Sequence, residues 1–318
     1  MTVYDPILTR KKIIKVILES PMGGKLAGTS SILAFDPEIN PTAPFEERKG
    51  TGLCRGQERV GTLGALSGSC KFKTELRGNG SSGMDAGLAI LLQACGLKKS
   101  SESYQVHSVH SADKTISIDI WEGGVVGGAV GVKKGLAGAS SDLTISGENG
   151  GKVMCDFDFQ GIWQTPVAEA PTADSPGSGG VLKLQGGTFT LTTGKTIKIA
   201  KFSLKLGCKV VPRYDMTAAG GIAYYMITDY DPILSIDPEA HAIGDYDYYG
   251  DWLSGLEAAV NLVLTNGTTK VTFTLPKVQY RELAEGDRDG IQIYDLTGQC
   301  NHSSSGNDAV TIAAAAAV

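Results

Sequence analysis

Several features that would point to a particular activity are missing from this sequence. No two of its six cysteines have the Cys-x-x-Cys spacing, so the pattern of a zinc finger or a redox dithiol is absent. There is no run of about 18 apolar residues, the length that a membrane-spanning helix needs. Lys and Arg number 29 against 34 Asp and Glu, whereas a protein that grips nucleic acid through its phosphates needs clustered positive charge. A helical membrane protein and a protein that binds nucleic acid through its phosphates are therefore excluded.

The cysteines do not suggest a disulfide framework. They are spread over a chain of 318 residues, whereas disulfide frameworks are typical of small secreted domains. The apolar stretch 13–18 follows three basic residues, but it is short and Lys15 interrupts it, so it does not fit a signal peptide. We therefore expect reduced structural thiols and a chain that folds in a cytoplasm.

Catalytic patterns are also missing. The sequence contains neither Gly-x-Ser-x-Gly nor His-Glu-x-x-His. Residues 78–83 match the glycine pattern of dinucleotide-binding loops, but antiparallel-looking hairpins follow, so a flexible turn is favoured. A near match to a phosphate-binding loop has Phe189 where the first glycine is required. His107 and His110 lack the further ligands that a metal site needs. We predict no enzyme activity, no catalytic residue, no cofactor and no metal.

The residues that are present predict a mainly β protein. The 42 glycines lie between short alternating segments, which favours many turns and bulges. Residues 69–77, 115–121 and 222–229 are predicted strands. Residues 84–95 are the best helix, with Asp85 at the start and Gly96 after the end. The three prolines within 35–49 predict an extended loop there.

Two predicted hairpins, one in each half of the chain, have similar sequences. The first runs across Gly150-Gly151 and the second across Asn266-Gly267, typical turn sequences. Similar segments also precede them, since Lys71-Phe72 parallels Lys201-Phe202. Residues 168–180 are rich in Pro, Ser and Gly and predict a linker between the halves. We interpret this as an internal duplication; one continuous β-sandwich is the alternative.

Residues 229–251 form an acidic loop region interleaved with tyrosines. The acidic residues do not have the spacing of a calcium-binding loop. A glycosidase carboxylate pair is not selected by any pattern. Exposed acidic loops whose tyrosines contact another protein are favoured.

Seven short motifs follow one another along the chain: ILTRK at 7–11, TELRGNG at 74–80, LQACGL at 92–97, VVPRYD at 210–215, ITDYDP at 227–232, SIDPE at 235–239 and GDRDG at 286–290. Their order over most of the chain resembles the major tail tube proteins of long-tailed bacteriophages. One departure is the end of the chain, where Asn307-Asp308 runs into polyalanine instead of an ordinary last strand.

The resemblance implies antiparallel β-sandwich or barrel tube domains, each with a flanking helix or loop, and the internal duplication gives two of them in tandem. Together they divide the chain into an N-terminal arm and inter-ring loop (1–50), a first tube domain (51–170), a linker (171–180) and a second tube domain (181–318). Because two domains per chain would supply six from three chains, a trimeric ring with pseudo-sixfold symmetry is predicted. A hexameric ring of whole chains is the competitor.

The resemblance also implies a place and partners. Rings would stack into the tube of a virion tail, assembled in the host cytoplasm, with no membrane contact. The tube would hold a tape-measure protein, meet terminator and distal tail proteins at its ends, and pass genomic DNA without specific binding. An acidic lumen suits that passage because it repels phosphates. Candidate contacts between rings are Ile13, Ile14, Val16, Asp229, Asp231, Tyr246, Tyr248 and Tyr249.

Two other functions compete with this one. A tail terminator or the ring component of a secretion tube would share the fold and differ in its partners. A carbohydrate-binding β-sandwich or a hydrolase would use the loops that carry Tyr and Asp.

Overall fold

A computed structural model describes residues 7–49, 60–191, 194–218, 220–303 and 306–317. These residues form twenty strands and two helices, so the predicted mainly β class is confirmed. The elements in chain order are β1 (Lys12–Leu18), β2 (Ser30–Ile32), β3 (Phe35–Thr42), β4 (Phe45–Glu46), β5 (Thr62–Leu63), β6 (Ser67–Glu75), α1 (Ala86–Ala94), β7 (Leu97–Ser100), β8 (Ser103–Val106), β9 (Ile116–Glu122), β10 (Gly131–Glu148), β11 (Met154–Glu169), β12 (Thr188–Leu191), β13 (Ile199–Lys205), β14 (Lys209–Tyr214), β15 (Ile222–Asp229), β16 (Ile233–Pro238), α2 (Tyr248–Ser254), β17 (Glu257–Thr265), β18 (Thr269–Arg288), β19 (Ile291–Asn301) and β20 (Thr311–Ala316).

One large antiparallel sheet organises the molecule. Ten of its strands are consecutive neighbours in the order β3-β6-β11-β10-β13-β16-β19-β18-β17-β12. Strand β10 is long enough to pair with two neighbours along one edge, β9 at 132–139 and β13 at 144–148. Strand β18 likewise pairs with β20 at 269–274 and with β19 at 277–288. The branches β9-β1-β2 and β20-β8-β7 leave the ten-strand run at these two long strands.

The core lies on one face of this run. Phe72, Phe157 and Phe159 come from neighbouring strands, and their ring centroids lie 5.7 Å apart. Such aromatic pairs contribute about 0.5–1.5 kcal/mol each beyond the area that they bury. Helix α1 contacts β1, β2, β7, β9 and β10 and presents buried leucines to the core. The two helices among the described residues are too short to span a lipid bilayer.

Helix α1 confirms the helix predicted over 84–95. The Asp85 side chain accepts hydrogen bonds from the Gly87 and Leu88 amides at 3.0 and 3.2 Å, which satisfies amides that a helix start leaves free. Gly96 follows with φ of +74°, a conformation that glycine adopts without strain. The helix is therefore limited at both ends by local residues.

The extended loop predicted over 35–49 is wrong for its first half, because Phe35–Thr42 forms strand β3 beside β6. Pro37 lies in the register shift between Phe35 and Glu38. A proline is tolerated at such a bulge or on an edge strand. The extended backbone that proline imposes on its neighbour also suits a strand.

The predicted N-terminal arm is shorter than 1–50, because two of its segments belong to the main sheet. Strand β1 pairs with β2 on one side and with β9 on the other, and β3 pairs with β6. Strand β4 forms a small separate sheet with β5, and its Phe45 is 61% exposed. Residues 1–6 and 50–59 lie outside the described residues. The division into two tube domains stays a prediction.

The linker predicted over 171–180 is held against the sheet by side chains from the first half. Lys15 Nζ donates to Thr172 Oγ1 at 2.6 Å, the Ser175 amide donates to Ser31 Oγ at 3.2 Å, and Arg77 Nη1 donates to the Gly177 carbonyl at 2.8 Å. The segment is therefore an anchored connection and not a loose spacer.

The buried Glu75 gives a prediction on acid stability. It is 3% exposed, and its carboxylate lies 2.5 Å from Lys152 Nζ and 2.6 Å from Arg77 Nη2. Burial acts to raise the pKa of Glu75, but the hydrogen bonds and charges of Lys152 and Arg77 outweigh it, so this pKa lies below its usual value of 4.5. Such a group stabilises the fold at pH values above its unfolded pKa, and this contribution is lost as the pH falls through the folded pKa.

We therefore expect Glu75→Gln to lower the free energy of unfolding by about 2 kcal/mol at neutral pH. The variant should also lose less stability than the parent chain on acidification below pH 4.5. Urea unfolding across this pH range measures both effects. Equal acid-dependent losses in the two chains would show that Glu75 does not contribute in this way.

Candidate functional site: a charged sheet face

The face of the ten-strand run that points away from the core is polar and charged. Side chains alternate between the two faces of a strand, so Phe72 points into the core while its neighbours Lys71 and Lys73 point outward. Strand β11 does the same with Phe157 between Asp156 and Asp158. We call this outer surface the charged face. Its members are Asp36, Glu38, Lys71, Lys73, Asp142, Thr144, Ser146, Glu148, Lys152, Asp156, Asp158, Lys201, Ser203, Lys205, Ser235, Asp295 and Thr297.

Ion pairs join β6 to β11 on the charged face. Lys71 Nζ lies 2.8 Å from Asp158 Oδ2, and Lys73 Nζ lies 3.3 Å from Asp156 Oδ2. The two pairs form because the register places Lys71 opposite Asp158 and Lys73 opposite Asp156. The hydrogen bond and charge of Asp158 raise the pKa of Lys71. Exposed pairs of this kind contribute about 0–1 kcal/mol each to stability.

Further ion pairs extend across the middle of the run. Lys201 Nζ on β13 reaches past β16 to Asp295 Oδ1 on β19 at 3.2 Å. Lys205 Nζ lies 3.9 Å from Asp142 Oδ2 on β10. The Lys205–Asp142 contact links strands from the two halves of the chain, so the charged face is continuous across the middle of the molecule.

Carboxylates outnumber lysines on the charged face, with seven against five. Asp142 and Asp158 even lie directly opposite one another on β10 and β11, an arrangement that is unfavourable for like charges. The pairs with Lys205 and Lys71 offset this repulsion. Two shallow depressions of about 590 and 490 Å³ lie along the face. The surface is thus broad, polar and net negative.

Three of the predicted contact residues are buried in the chain itself, which corrects their assignment. Ile14 and Val16 are 2% and 0% exposed because β1 lies between two strands and under α1. Tyr248 is 1% exposed. These side chains belong to the core and are not exposed anchors for a second molecule. Ile13 is half-buried.

The remaining predicted contacts lie nearer the surface. Asp229 and Asp231 are exposed, and Asp231 forms an ion pair with Arg281 at 3.2 Å. Tyr246 and Tyr249 are half-buried, and the Tyr249 hydroxyl donates to the Glu285 carboxylate on β18. The tyrosines therefore hold α2 against the β18–β19 hairpin, a structural role, and contact with another molecule through the aspartates stays a prediction.

The glycine-rich turn at 78–83 is shaped for packing. Asn79 Oδ1 accepts hydrogen bonds from the Ser81 and Gly83 amides at 2.8 and 3.1 Å. A side chain on Gly78 would lie 2.3 Å from Thr269 Oγ1, so this glycine permits close approach of β18. The structure gives the turn a packing role.

The two histidines singled out by spacing share one carboxylate. His110 Nδ1 lies 2.6 Å from Asp113 Oδ2, and His107 Nε2 lies 3.4 Å from Asp113 Oδ1. Across the described parts of the chain, no group of three or more His, Cys, Asp or Glu side chains is arranged to hold a metal ion.

Sequence reasoning missed the charged face, although its signal is visible. The triplets Lys71-Phe72-Lys73 and Asp156-Phe157-Asp158 alternate charge and aromatic residue with a period of two, which indicates strands with one face in the core. The triplets do not reveal the register of pairing between β6 and β11, which places the lysines opposite the aspartates.

No protein-family model matches this chain, and no curated protein matches it.

Proposed function

We propose that this chain is a structural subunit of a long-tailed phage tail tube, which forms closed rings through its sheet edges and lines a channel for DNA. The observation that carries the proposal is a strand order that occurs twice along one sheet, with strand edges at the outer side of both blocks that no described strand pairs with. The resemblance of the sequence to tail tube proteins supports the same function.

Two blocks of four strands repeat in the ten-strand run. The first is β3-β6-β11-β10 and the second is β13-β16-β19-β18. In both blocks the chain visits the four positions in the order first, second, fourth, third. A helix follows the second strand of each block, α1 after β6 and α2 after β16. This topology supports an internal duplication, with the β18–β19 hairpin equivalent to the β10–β11 hairpin.

This correspondence differs from the one that the sequence suggested. The sequence parallel matched the first hairpin with β17–β18, because both turns are rich in glycine. The sheet order instead matches β18 with β10, since each is the last strand of its block and carries branches. Hairpin sequences are short and repetitive, so two unrelated hairpins with alternating strands can align by chance.

The junction between the blocks is a template for a junction between copies. Within the chain, β13 starts the second block by pairing with the end of β10 at 144–148. The equivalent end of β18 is residues 280–288, beyond Gln279, the last β18 residue that pairs with β17. Among the described residues no strand lies on that edge, and the outer edge of β3 also has no partner strand. Strand β3 of a second copy therefore fits the end of β18.

Such pairing is head to tail, so it closes into a ring when the rotation per block fits. Two blocks per chain give six from three copies, which favours the trimeric ring. Pairing also covers exposed strand edges, which are otherwise open to uncontrolled aggregation.

The charged face would then line the channel, and its excess of carboxylates would repel phosphates and let DNA slide. In the tail, tape-measure, terminator and distal tail proteins would be the partners.

Disulfide trapping tests the junction. Ser146 and Ser203 lie directly opposite one another at the junction within the chain, so Ser146→Cys with Ser203→Cys is a matched control that should form an intrachain bond. Glu38→Cys with Ala284→Cys places thiols on β3 and on the end of β18. We expect this pair to give crosslinked species up to three chains on a non-reducing gel after oxidation. The native Cys70 thiol, on the strand beside β3, should interfere little, since burial raises its pKa to about 12.

Imaging tests the function itself. We expect purified chains to form rings, and stacked tubes, in negative-stain micrographs, with three chains per ring. A ring of six whole chains would contradict the duplication but not the tube. A monomer at high concentration that binds glycans, with only intrachain products from the Glu38 and Ala284 pair, would contradict the proposed function.

A further inference from the structure

We propose that the lysines of the charged face are masked by their carboxylate partners, and that the aspartates are what prevents this face from binding polyanions such as DNA. Neutralising Asp156, Asp158 and Asp295 should convert the face into a phosphate-binding surface. The inference deepens the proposed function, in which DNA passes this face, but it concerns a property that the chain carries by itself.

The lysines are accessible enough to bind phosphate. The side chains of Lys71, Lys73, Lys201 and Lys205 are 58%, 59%, 55% and 55% exposed. Lys201 and Lys205 are four residues apart on one strand, a separation of about 13 Å, so they can contact different phosphates. Four exposed cations on one continuous sheet would normally attract a polyanion.

Each of these lysines, however, has a carboxylate within 4 Å. Distances from Nζ to carboxylate oxygen are 2.8 Å for Lys71, 3.3 Å for Lys73, 3.2 Å for Lys201 and 3.9 Å for Lys205. A phosphate that displaced a carboxylate would leave that negative charge on the same surface, next to the bound polyanion. Because carboxylates outnumber lysines, the exchange is unfavourable at every position.

Asp142 differs from the three aspartates chosen for substitution. Its Oδ1 accepts hydrogen bonds from the Leu143 and Cys208 amides at 2.9 and 2.8 Å, so it holds β10 to the segment after β13. Asp156, Asp158 and Asp295 have side chains 35%, 44% and 53% exposed. Their replacement by the isosteric asparagine removes charge with little effect on packing.

The experiment measures binding of a fluorescent 20-base-pair DNA duplex by the full chain. The parent chain should show no binding at 50 mM salt. The variant with Asp156→Asn, Asp158→Asn and Asp295→Asn should bind at a protein concentration at least about tenfold below the highest at which the parent chain shows no binding. For about three phosphate contacts, one for each unmasked lysine, its affinity should fall about 40-fold between 50 and 200 mM salt.

Two control variants locate the effect. Asp174→Asn, Asp229→Asn and Asp245→Asn change the net charge equally at exposed positions outside the charged face, and should not produce binding. Adding Lys71→Gln, Lys73→Gln and Lys201→Gln to the first variant should abolish the gain. Circular dichroism confirms that each variant is folded.

Binding by the parent chain would overturn the inference, and so would no gain in a folded Asn variant or an equal gain in the surface control. The readout is independent of ring formation. Rings without the gain in DNA binding would refute the masking alone. The gain in a chain that never forms rings would refute the tube alone.

Discussion

Deleting residues 310–318 is expected to abolish cooperative folding of the whole chain. Strand β20 lies between β18, from the second half, and β8, from the first half. Its Ile312 lies opposite both Phe273 and Tyr104, and Val310 and Ile312 are 0% exposed. Each buried aliphatic side chain contributes about 1.5–3 kcal/mol, and the deletion also leaves strand edges of β18 and β8 unpaired. Total stabilities of about 5–15 kcal/mol leave little reserve.

Thermal unfolding followed by circular dichroism measures this loss. Ile312→Ala keeps the strand and removes one side chain, and should lower the free energy of unfolding by about 3 kcal/mol. Ala315→Ser, at an exposed position of the same strand, should change it by less than about 0.5 kcal/mol. A truncated chain with an unchanged melting temperature would show that β20 is dispensable for the fold.

Glu19→Ala is expected to cost about 4 kcal/mol of folding free energy. Glu19 is 3% exposed, and its carboxylate accepts four hydrogen bonds. The donors are the Gly23 amide at 2.8 Å, Thr115 Oγ1 at 2.6 Å, Ser117 Oγ at 2.6 Å and the Gly138 amide at 2.8 Å. Alanine would leave these donors buried without that acceptor, and each orphaned donor costs about 1–3 kcal/mol before water enters the space.

Chemical denaturation of three chains isolates this effect. Glu19→Gln keeps the shape but turns the side-chain amide NH2, itself a donor, toward two of these donors, so we expect most of the loss to remain. Glu169→Ala removes an exposed carboxylate that pairs with Lys133, and should cost less than about 1 kcal/mol. If Glu19→Ala were no more destabilising than Glu169→Ala, the buried carboxylate would not organise the junction of β1, β9 and β10.

Local sequence was sufficient for the elements whose limits are set by near neighbours. Asp85 and Gly96 define the ends of α1, because capping bonds and glycine conformation act within a few residues. The turn at Asn266-Gly267 likewise produces the β17–β18 hairpin. The wide spread of the cysteines predicts free thiols, and all five described cysteines are free.

Predictions failed where long-range pairing overrides local preference. The proline-rich text around Pro37 and Pro41 predicts a loop, yet β6 offers an edge on which an irregular strand can pair. The resemblance places Ile14 and Val16 in an N-terminal arm, yet β9 pairs with this segment along its whole length. In both cases the strand that pairs with the segment lies far along the chain, so the local sequence does not predict the pairing.

The sequence by itself determined that this is a β-rich chain with alternating charged and apolar side chains, because alternation is a property of each strand alone. Only the tertiary structure decided which strands are neighbours. It placed Lys201 within 3.2 Å of Asp295 and repeated one strand order. Among the described residues it also left the outer edge of β3 and the 280–288 edge of β18 without a partner strand. The register of strand pairing relates residues that are far apart in sequence. It is set by the burial of the whole apolar face of the sheet, so the sequence of a single segment does not specify it.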